Sequence, residues 1–193
     1  IQVLKLNPNF IPALNNLGLV YKKLQNVKGA ISCFSKILKI NSNYINGYYN
    51  LGIIYQEIKD FNKSKINYKK TIKINPKFTK AFFNLGIIYQ ESNELKEAIY
   101  NYERAIATNP LFIQAYINLA TILSDLGKLE KAKLIYLKVI KINPNLIIAY
   151  NNLANVLTNM GNYVDAKYFY KQAIKRNPKY FEAYINLGIL YQG

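Results

Sequence analysis

Apolar residues recur along the chain at helical spacing in paired stretches, and the pairs themselves recur. Ala81, Phe82, Leu85, Gly86 and Tyr89 share one helical face, and Ala98, Tyr102 and Ala105 share one in the stretch that follows. This predicts two amphipathic helices, A and B, packed antiparallel. Each A helix carries Asn-Leu and a small residue: Asn16-Leu17-Gly18, Asn50-Leu51-Gly52, Asn84-Leu85-Gly86, Asn118-Leu119-Ala120, Asn152-Leu153-Ala154 and Asn186-Leu187-Gly188, each 34 residues after the last. A fixed period of that size predicts stacked repeats, because each unit exposes an apolar face that only its neighbour covers.

Placing the Asn sixth in its unit sets repeats at 11–44, 45–78, 79–112, 113–146 and 147–180. Residues 1–10 then read as the tail of an earlier B helix and 181–193 as a half repeat, all within one solenoid spanning 1–193. Asn7-Pro8, Asn75-Pro76, Asn109-Pro110, Asn143-Pro144 and Asn177-Pro178 end the B helices, since proline lacks the backbone donor and disfavours helix in the residue before it. The first full repeat has Ser42 there, so its boundary is expected to be the softest. Gly127, Gly161 and Asn93 are placed to take the left-handed conformation that ends an A helix, and Pro12 sits harmlessly in a first turn. The small residues on A face Ala30, Ser64, Ala98, Ala132 and Ala166 on B, which lets the axes approach to about 8 Å. Tyr48, Phe82, Tyr116, Tyr150 and Tyr184 on A, with Phe34, Tyr68, Tyr102, Tyr136 and Tyr170 on B, read as packing.

The pattern of Leu-Gly/Ala-Tyr, then Ala, then an aromatic, then Pro resembles the tetratricopeptide repeat family over essentially the whole chain. Departures are few: Leu14 replaces the first aromatic, Leu123 and Leu157 the late Tyr of A, and Ile37, Thr71 and Val139 a small B residue. The resemblance implies an all-α, right-handed solenoid with A helices lining the concave side. By helical spacing, the A positions expected to face that groove include the fifth, sixth and ninth of each unit. Tyr49, Phe83 and Ile117 occupy fifth places, as do Asn15, Asn151 and Ile185, while Ile53 and Ile87 occupy ninth places. Apolar stripes beside fixed polar groups mark partner sites.

The asparagine row suits a peptide ligand. A carboxamide offers a donor and an acceptor, the pair that a peptide bond offers, so it holds a backbone without reading side chains. With A helices roughly 10 Å apart and an extended chain rising about 3.3 Å per residue, one Asn meets every third ligand residue. The alternative is that each amide bonds the adjacent helix and sets the pitch. The row also resembles that of the recruiting domain of O-linked N-acetylglucosamine transferase. That likeness implies that Asn16, Asn50, Asn84, Asn118, Asn152 and Asn186 grip a substrate backbone for a catalytic domain elsewhere in the polypeptide. Peroxisomal import receptors of the family use groove asparagines too, and a scaffold with no linked enzyme is the competing reading. A carboxylate clamp is disfavoured, because Asn84 and Leu19 stand where it needs other residues.

Composition narrows the rest. Histidine is absent, which removes the commonest general base and metal ligand, and nothing else reads as a catalytic site, so a non-catalytic module without cofactor is expected. Cys33 is alone, no run spans a membrane and no signal peptide is evident, which suits the cytoplasm or nucleus. The net charge is +16, from 26 Lys and Arg against 10 Asp and Glu, in a chain also rich in residues with A/T-rich codons. Only Lys22, Lys23 and Lys80 fall on A helices, whereas Glu57, Glu91 and Asp125 recur at their thirteenth position. A solvated basic outer face is therefore expected, with proteins or extended peptides as partners in preference to nucleic acid.

The chain starts and stops inside a repeat and is expected to be part of something longer. Its two ends are expected to present apolar faces and to associate end to end. Light scattering should then show mass rising with concentration, and a monomer throughout would count against the expectation.

Overall fold

A computed structural model describes residues 2–192, leaving Ile1 and Gly193, the outermost positions of the predicted partial repeats, outside the described residues. The described residues form twelve helices: α1 (Gln2–Leu6), α2 (Ile11–Lys23), α3 (Val27–Ile40), α4 (Ile45–Glu57), α5 (Phe61–Ile74), α6 (Thr79–Glu91), α7 (Leu95–Thr108), α8 (Ile113–Asp125), α9 (Leu129–Ile142), α10 (Ile147–Asn159), α11 (Tyr163–Arg176) and α12 (Phe181–Gln192). The fold is an all-α solenoid of helix-turn-helix repeats, with α2, α4, α6, α8, α10 and α12 as A helices and α3, α5, α7, α9 and α11 as B helices. The contacts group the chain into two compact units, Ile1–Asn101 and Tyr102–Gly193. In the first, α2 to α6 pack each on the next, and in the second α8 to α12 do the same.

Two kinds of turn set the alternation. After each of α2, α4, α6, α8 and α10 one residue is left-handed: Gln25, Lys59 and Asn93 at φ 57°, 59° and 59°, Gly127 and Gly161 at 71° and 75°. Glycine there is expected, whereas Gln25 and Lys59 carry a side chain in a region that disfavours one. Their strain is offset by bonds that close the helix end, as where Asn26 N–H reaches Tyr21 O and Gln25 N–H reaches Lys22 O. The next helix starts at once, with Asn26 Oδ1 accepting from Gly29 N at 2.9 Å and Asp60 Oδ1 from Lys63 N at 3.1 Å.

After each B helix an asparagine folds the chain back. Asn41, Asn75, Asn109, Asn143 and Asn177 each accept, through Oδ1, the backbone N–H two residues on at 2.9–3.1 Å. Asn41 makes this turn with Ser42 in the place that proline holds elsewhere. Asparagine, not proline, is the common element, and the turn at Ser42 keeps the geometry of the others.

The core is a stack of aromatics inserted between A and B. Phe34, Tyr68 and Tyr102 are 0 % exposed, and Tyr136 and Tyr170 are 2 % exposed. Each such side chain removes from water a surface worth about 1.5–3 kcal/mol. Room for them comes from the small residue on A: a methyl group on Gly18 would lie 2.9 Å from Phe34, and one on Gly52 2.6 Å from Tyr68. Ser64 Oγ is buried beside this contact and donates to the Gly52 carbonyl at 2.6 Å. Gly52→Ala should therefore lower stability by about 1–3 kcal/mol through overpacking. Urea denaturation checks this, and an unchanged midpoint would mean that α4 and α5 separate without cost.

Candidate functional site: a carboxamide row latched to buried tyrosines

The six asparagines lie at the same level of α2, α4, α6, α8, α10 and α12, with Asn16 exposed and the other five half-buried. What the repeat does not disclose is where their amides point. Asn84 Nδ2 donates to the hydroxyl of Tyr68 at 3.1 Å and to that of Tyr49 at 3.4 Å. Asn118 Nδ2 donates to Tyr102 at 3.2 Å, and Asn152 Nδ2 to Tyr136 at 3.4 Å. Tyr68, Tyr102 and Tyr136 each come from the B helix of the preceding repeat, 16 residues earlier, whereas Tyr49 comes from α4, 35 residues earlier. The ring of each B-helix tyrosine crosses the core, so its hydroxyl emerges on the A side beside the next asparagine.

The direction of these bonds is fixed by what lies beyond them. Tyr68 O–H donates to Gln56 Oε1 at 2.8 Å, so its oxygen must accept from Asn84, which leaves Asn84 Oδ1 turned away from the latch. Thr121 Oγ1 donates to the Ile117 carbonyl at 3.0 Å, so the 3.0 Å contact between Thr121 and Tyr136 runs from the tyrosine. A one-way chain results, from Asn152 through Tyr136 and Thr121 to Ile117. Burial pushes the hydroxyls of Tyr49, Tyr68, Tyr136 and Tyr170 above their ordinary range, against the smaller opposing effect of these bonds.

The row is not uniform. Phe34 occupies the tyrosine place in the first repeat and has no hydroxyl to offer Asn50; neither the Asn16 nor the Asn50 side chain makes a hydrogen bond among the described residues. In the second unit Asn186 Nδ2 is shared by Asn151 Oδ1 and Asn155 Oδ1, both at 3.2 Å, and Tyr170 O–H donates to Asn155 Oδ1 at 2.6 Å. These groups border a cleft of about 320 Å³ lined by Asn155, Thr158, Asn159, Tyr170, Asn186 and Ile189. Asn151 and Asn155, at the fifth and ninth places of their repeat, thus meet the row through Asn186.

The flanking residues divide. Phe83, Ile53, Ile87 and Ile117 are half-buried, and Tyr49 packs its ring 4.8 Å from Phe78 and 5.9 Å from Tyr68. The expectation that every fifth position faces a groove needs correction. Asn151 is 0 % exposed and accepts from Asn186 on the neighbouring A helix, and Asn15 Oδ1 is buried, whereas Tyr49, Phe83 and Ile117 at the same position are half-buried. The acidic thirteenth position is partly neutralised, since Glu57 pairs with Lys22 at 3.1 Å. No group of three His, Cys, Asp or Glu side chains is placed to hold a metal among the described residues. No helix there is long and apolar enough to cross a membrane.

Family sequence models described as tetratricopeptide repeat match residues 11–44, 79–111 and 147–180, a second set 45–78 and 113–146, and a third 169–193. No curated protein sequence matches the chain. Among solved structures, MamA superposes with a TM-score of 0.79 at 27% identity, over 88% of this chain and 92% of that one. YrrB, described as having an unusual peptide-binding site, gives 0.79 at 19% identity over 96% and 95%. Pseudomonas aeruginosa PilF gives 0.76 at 20% identity over 94% and 84%. The last two likenesses speak to the fold alone.

Two outcomes follow from the latch. Phe34→Tyr should supply the hydroxyl missing beside Asn50 and raise stability by up to about 1 kcal/mol, measured by urea denaturation, whereas a loss would mean the hydroxyl finds no partner. The raised tyrosines keep their protons in the folded state at pH values where the unfolded chain loses them. The contribution of these tyrosines to stability should be constant below about pH 9 and fall as pH rises through about 10; a rise there would contradict their burial.

Proposed function

The chain belongs to the tetratricopeptide repeat family, a family of protein-interaction modules, and we propose that the A-helix face of each of its two units holds an extended peptide through the carbonyl oxygens of its asparagines. The observation that carries this reading is the orientation of Asn84. With its amide hydrogens held by Tyr68 and Tyr49, the group it has left is an acceptor. Its oxygen is left to take an N–H group from a ligand backbone, Asn16 and Asn50 keep a free donor as well as an acceptor, and the oxygen of Asn152 already accepts from Asn151 Nδ2 at 3.4 Å. Selectivity then rests on the neighbours, Tyr49, Phe83, Ile53, Ile87 and Ile117, which offer half-buried apolar surface beside the row.

The energetics favour modest affinity. Each rung contributes roughly 0.5–1.5 kcal/mol net, while ordering each ligand residue costs about 1–2 kcal/mol. The latch reduces the opposing cost on the protein side, since carboxamides already fixed in place lose little freedom on binding. In the second unit the cleft at Asn155 and Asn186 gives one ligand side chain a polar seat. YrrB supports the reading only as a protein of the same fold with a peptide-binding site of its own.

A second reading keeps the module and adds an enzyme: recruitment of substrates for an O-linked N-acetylglucosamine transferase in the same polypeptide, as the six-fold asparagine row suggests. A nucleotide-sugar transferase domain encoded after Gly193 would favour it, and its absence would leave the scaffold reading. Asn16 and Asn50 give the cleanest test of the row, because neither is bonded to the framework. The double variant Asn16→Ala, Asn50→Ala should keep its denaturation midpoint. Its retention of peptides selected from a random library should fall on the order of tenfold, two rungs' worth. Retention equal to that of the parent chain would remove the row from the binding site.

A further inference from the structure

The B-helix face of the first unit carries a groove that the asparagine row does not explain. A cavity of about 630 Å³ has Ser42, Tyr48, Lys70 and Lys73 in its walls. A second, of about 350 Å³, shares Tyr48 and Lys70 with it and continues between α3 and α5 over α4. Its floor is apolar, built from Leu38, Leu51 and Ile66 with the rings of Tyr48 and Tyr55. Lys39, Lys63, Lys70 and Lys73 stand along the two cavities, and neither wall includes a carboxylate.

The opening coincides with the one departure in the turn pattern. At the equivalent junction of the second unit, Tyr150 is 5 % exposed and its hydroxyl donates to the Pro144 carbonyl at 2.9 Å. Where Ser42 replaces the proline, Tyr48 is half-buried and faces the cavity beside it. Two of the lysines are also held in place. Lys70 Nζ lies 5.1 Å from the centre of the Tyr48 ring and Lys63 Nζ 5.3 Å from that of Tyr55, with Asp60 bonded to Lys63 at 2.8 Å.

We propose that this groove between α3 and α5 is a docking site for an acidic peptide segment carrying an apolar anchor residue. Ammonium groups poised over ring faces lose little freedom when they meet carboxylates, and the floor takes an aliphatic or aromatic side chain. A second copy of the chain is a poor occupant, because each copy carries +16. RNA is disfavoured for a different reason: the rings that would stack on bases already lie beneath lysines, and the remaining floor is aliphatic.

The test uses the full chain and a fluorescein-labelled peptide in which Asp and Glu flank a Phe-Leu pair, read by polarisation. Lys70→Glu with Lys73→Glu should weaken binding about tenfold or more, whereas Lys141→Glu with Lys175→Glu, the same charge change in the second unit, should weaken it less than about threefold. The Asn/Gln version of the peptide should bind at least about tenfold more weakly than the acidic one. Ile66→Asp and Lys39→Ala, both at exposed residues, carry the same test if the paired reversal unfolds the chain. Equal weakening by the two reversals, or equal binding of the amide peptide, would overturn the proposal. So would displacement of the peptide by oligouridylate with the same affinity in parent and groove variants. Asn16→Ala with Asn50→Ala should leave this binding unchanged, which separates it from the A-helix face.

Discussion

The structure turns on a single crossing, in which an aromatic ring from each B helix passes over a residue with no room for more than a methyl group and reaches the other side. Gly18 and Gly52 make way for Phe34 and Tyr68 in the first unit, with Cβ-equivalent distances of 2.9 and 2.6 Å. Were the A residue larger, the ring would be pushed back and its hydroxyl would stop inside the core. Because it passes through, an apolar side chain in the middle of one helix delivers a polar atom to the surface of the next repeat. Packing and hydrogen bonding are therefore one feature and are disturbed together.

That crossing decides what the asparagines offer. A free carboxamide is indifferent to direction, since it donates and accepts alike. Held by Tyr68 and Tyr49, Asn84 becomes a directed group with both amide hydrogens engaged, while Asn118 and Asn152 engage one each with Tyr102 and Tyr136. At Asn84 the amide hydrogens serve the framework, and the oxygen left over is the half on which the proposed ligand role rests. The same logic makes the first repeat distinct: with Phe34 beneath it, Asn50 keeps both halves.

Much of this was legible in the sequence because a period of 34 residues exposes every element that recurs at a fixed phase. The A and B helices, the small residue beneath the aromatic and the left-handed Gly127 and Gly161 all follow from spacing and residue type. What escaped depends on neighbours remote in sequence. Nothing in the chain announces that Asn84 meets a residue 16 places back, since that contact exists only once a ring has crossed two helices. Gln25 and Lys59 were hidden for another reason: their left-handed backbone is tolerated because the helix-ending bonds outweigh its strain, a balance that composition does not display. Asn151 looked like a groove residue and is buried, because its position faces the adjacent A helix. The charge also reads differently once placed. Lys63, Lys65, Lys70 and Lys138 lie over Tyr55, Tyr89, Tyr48 and Tyr116, so part of the basic excess covers aromatic surface that water would otherwise meet.

The latch between repeats is measurable as a coupling between two side chains. A double-mutant cycle on Tyr68→Phe and Asn84→Ala, followed by urea denaturation, isolates their interaction from the packing each makes alone. The account predicts a coupling of about 0.5–1.5 kcal/mol, the net worth of a hydrogen bond between half-buried neutral groups. Strictly additive losses would show that ring and carboxamide are neighbours without being partners, and the directed acceptor row would fall with them.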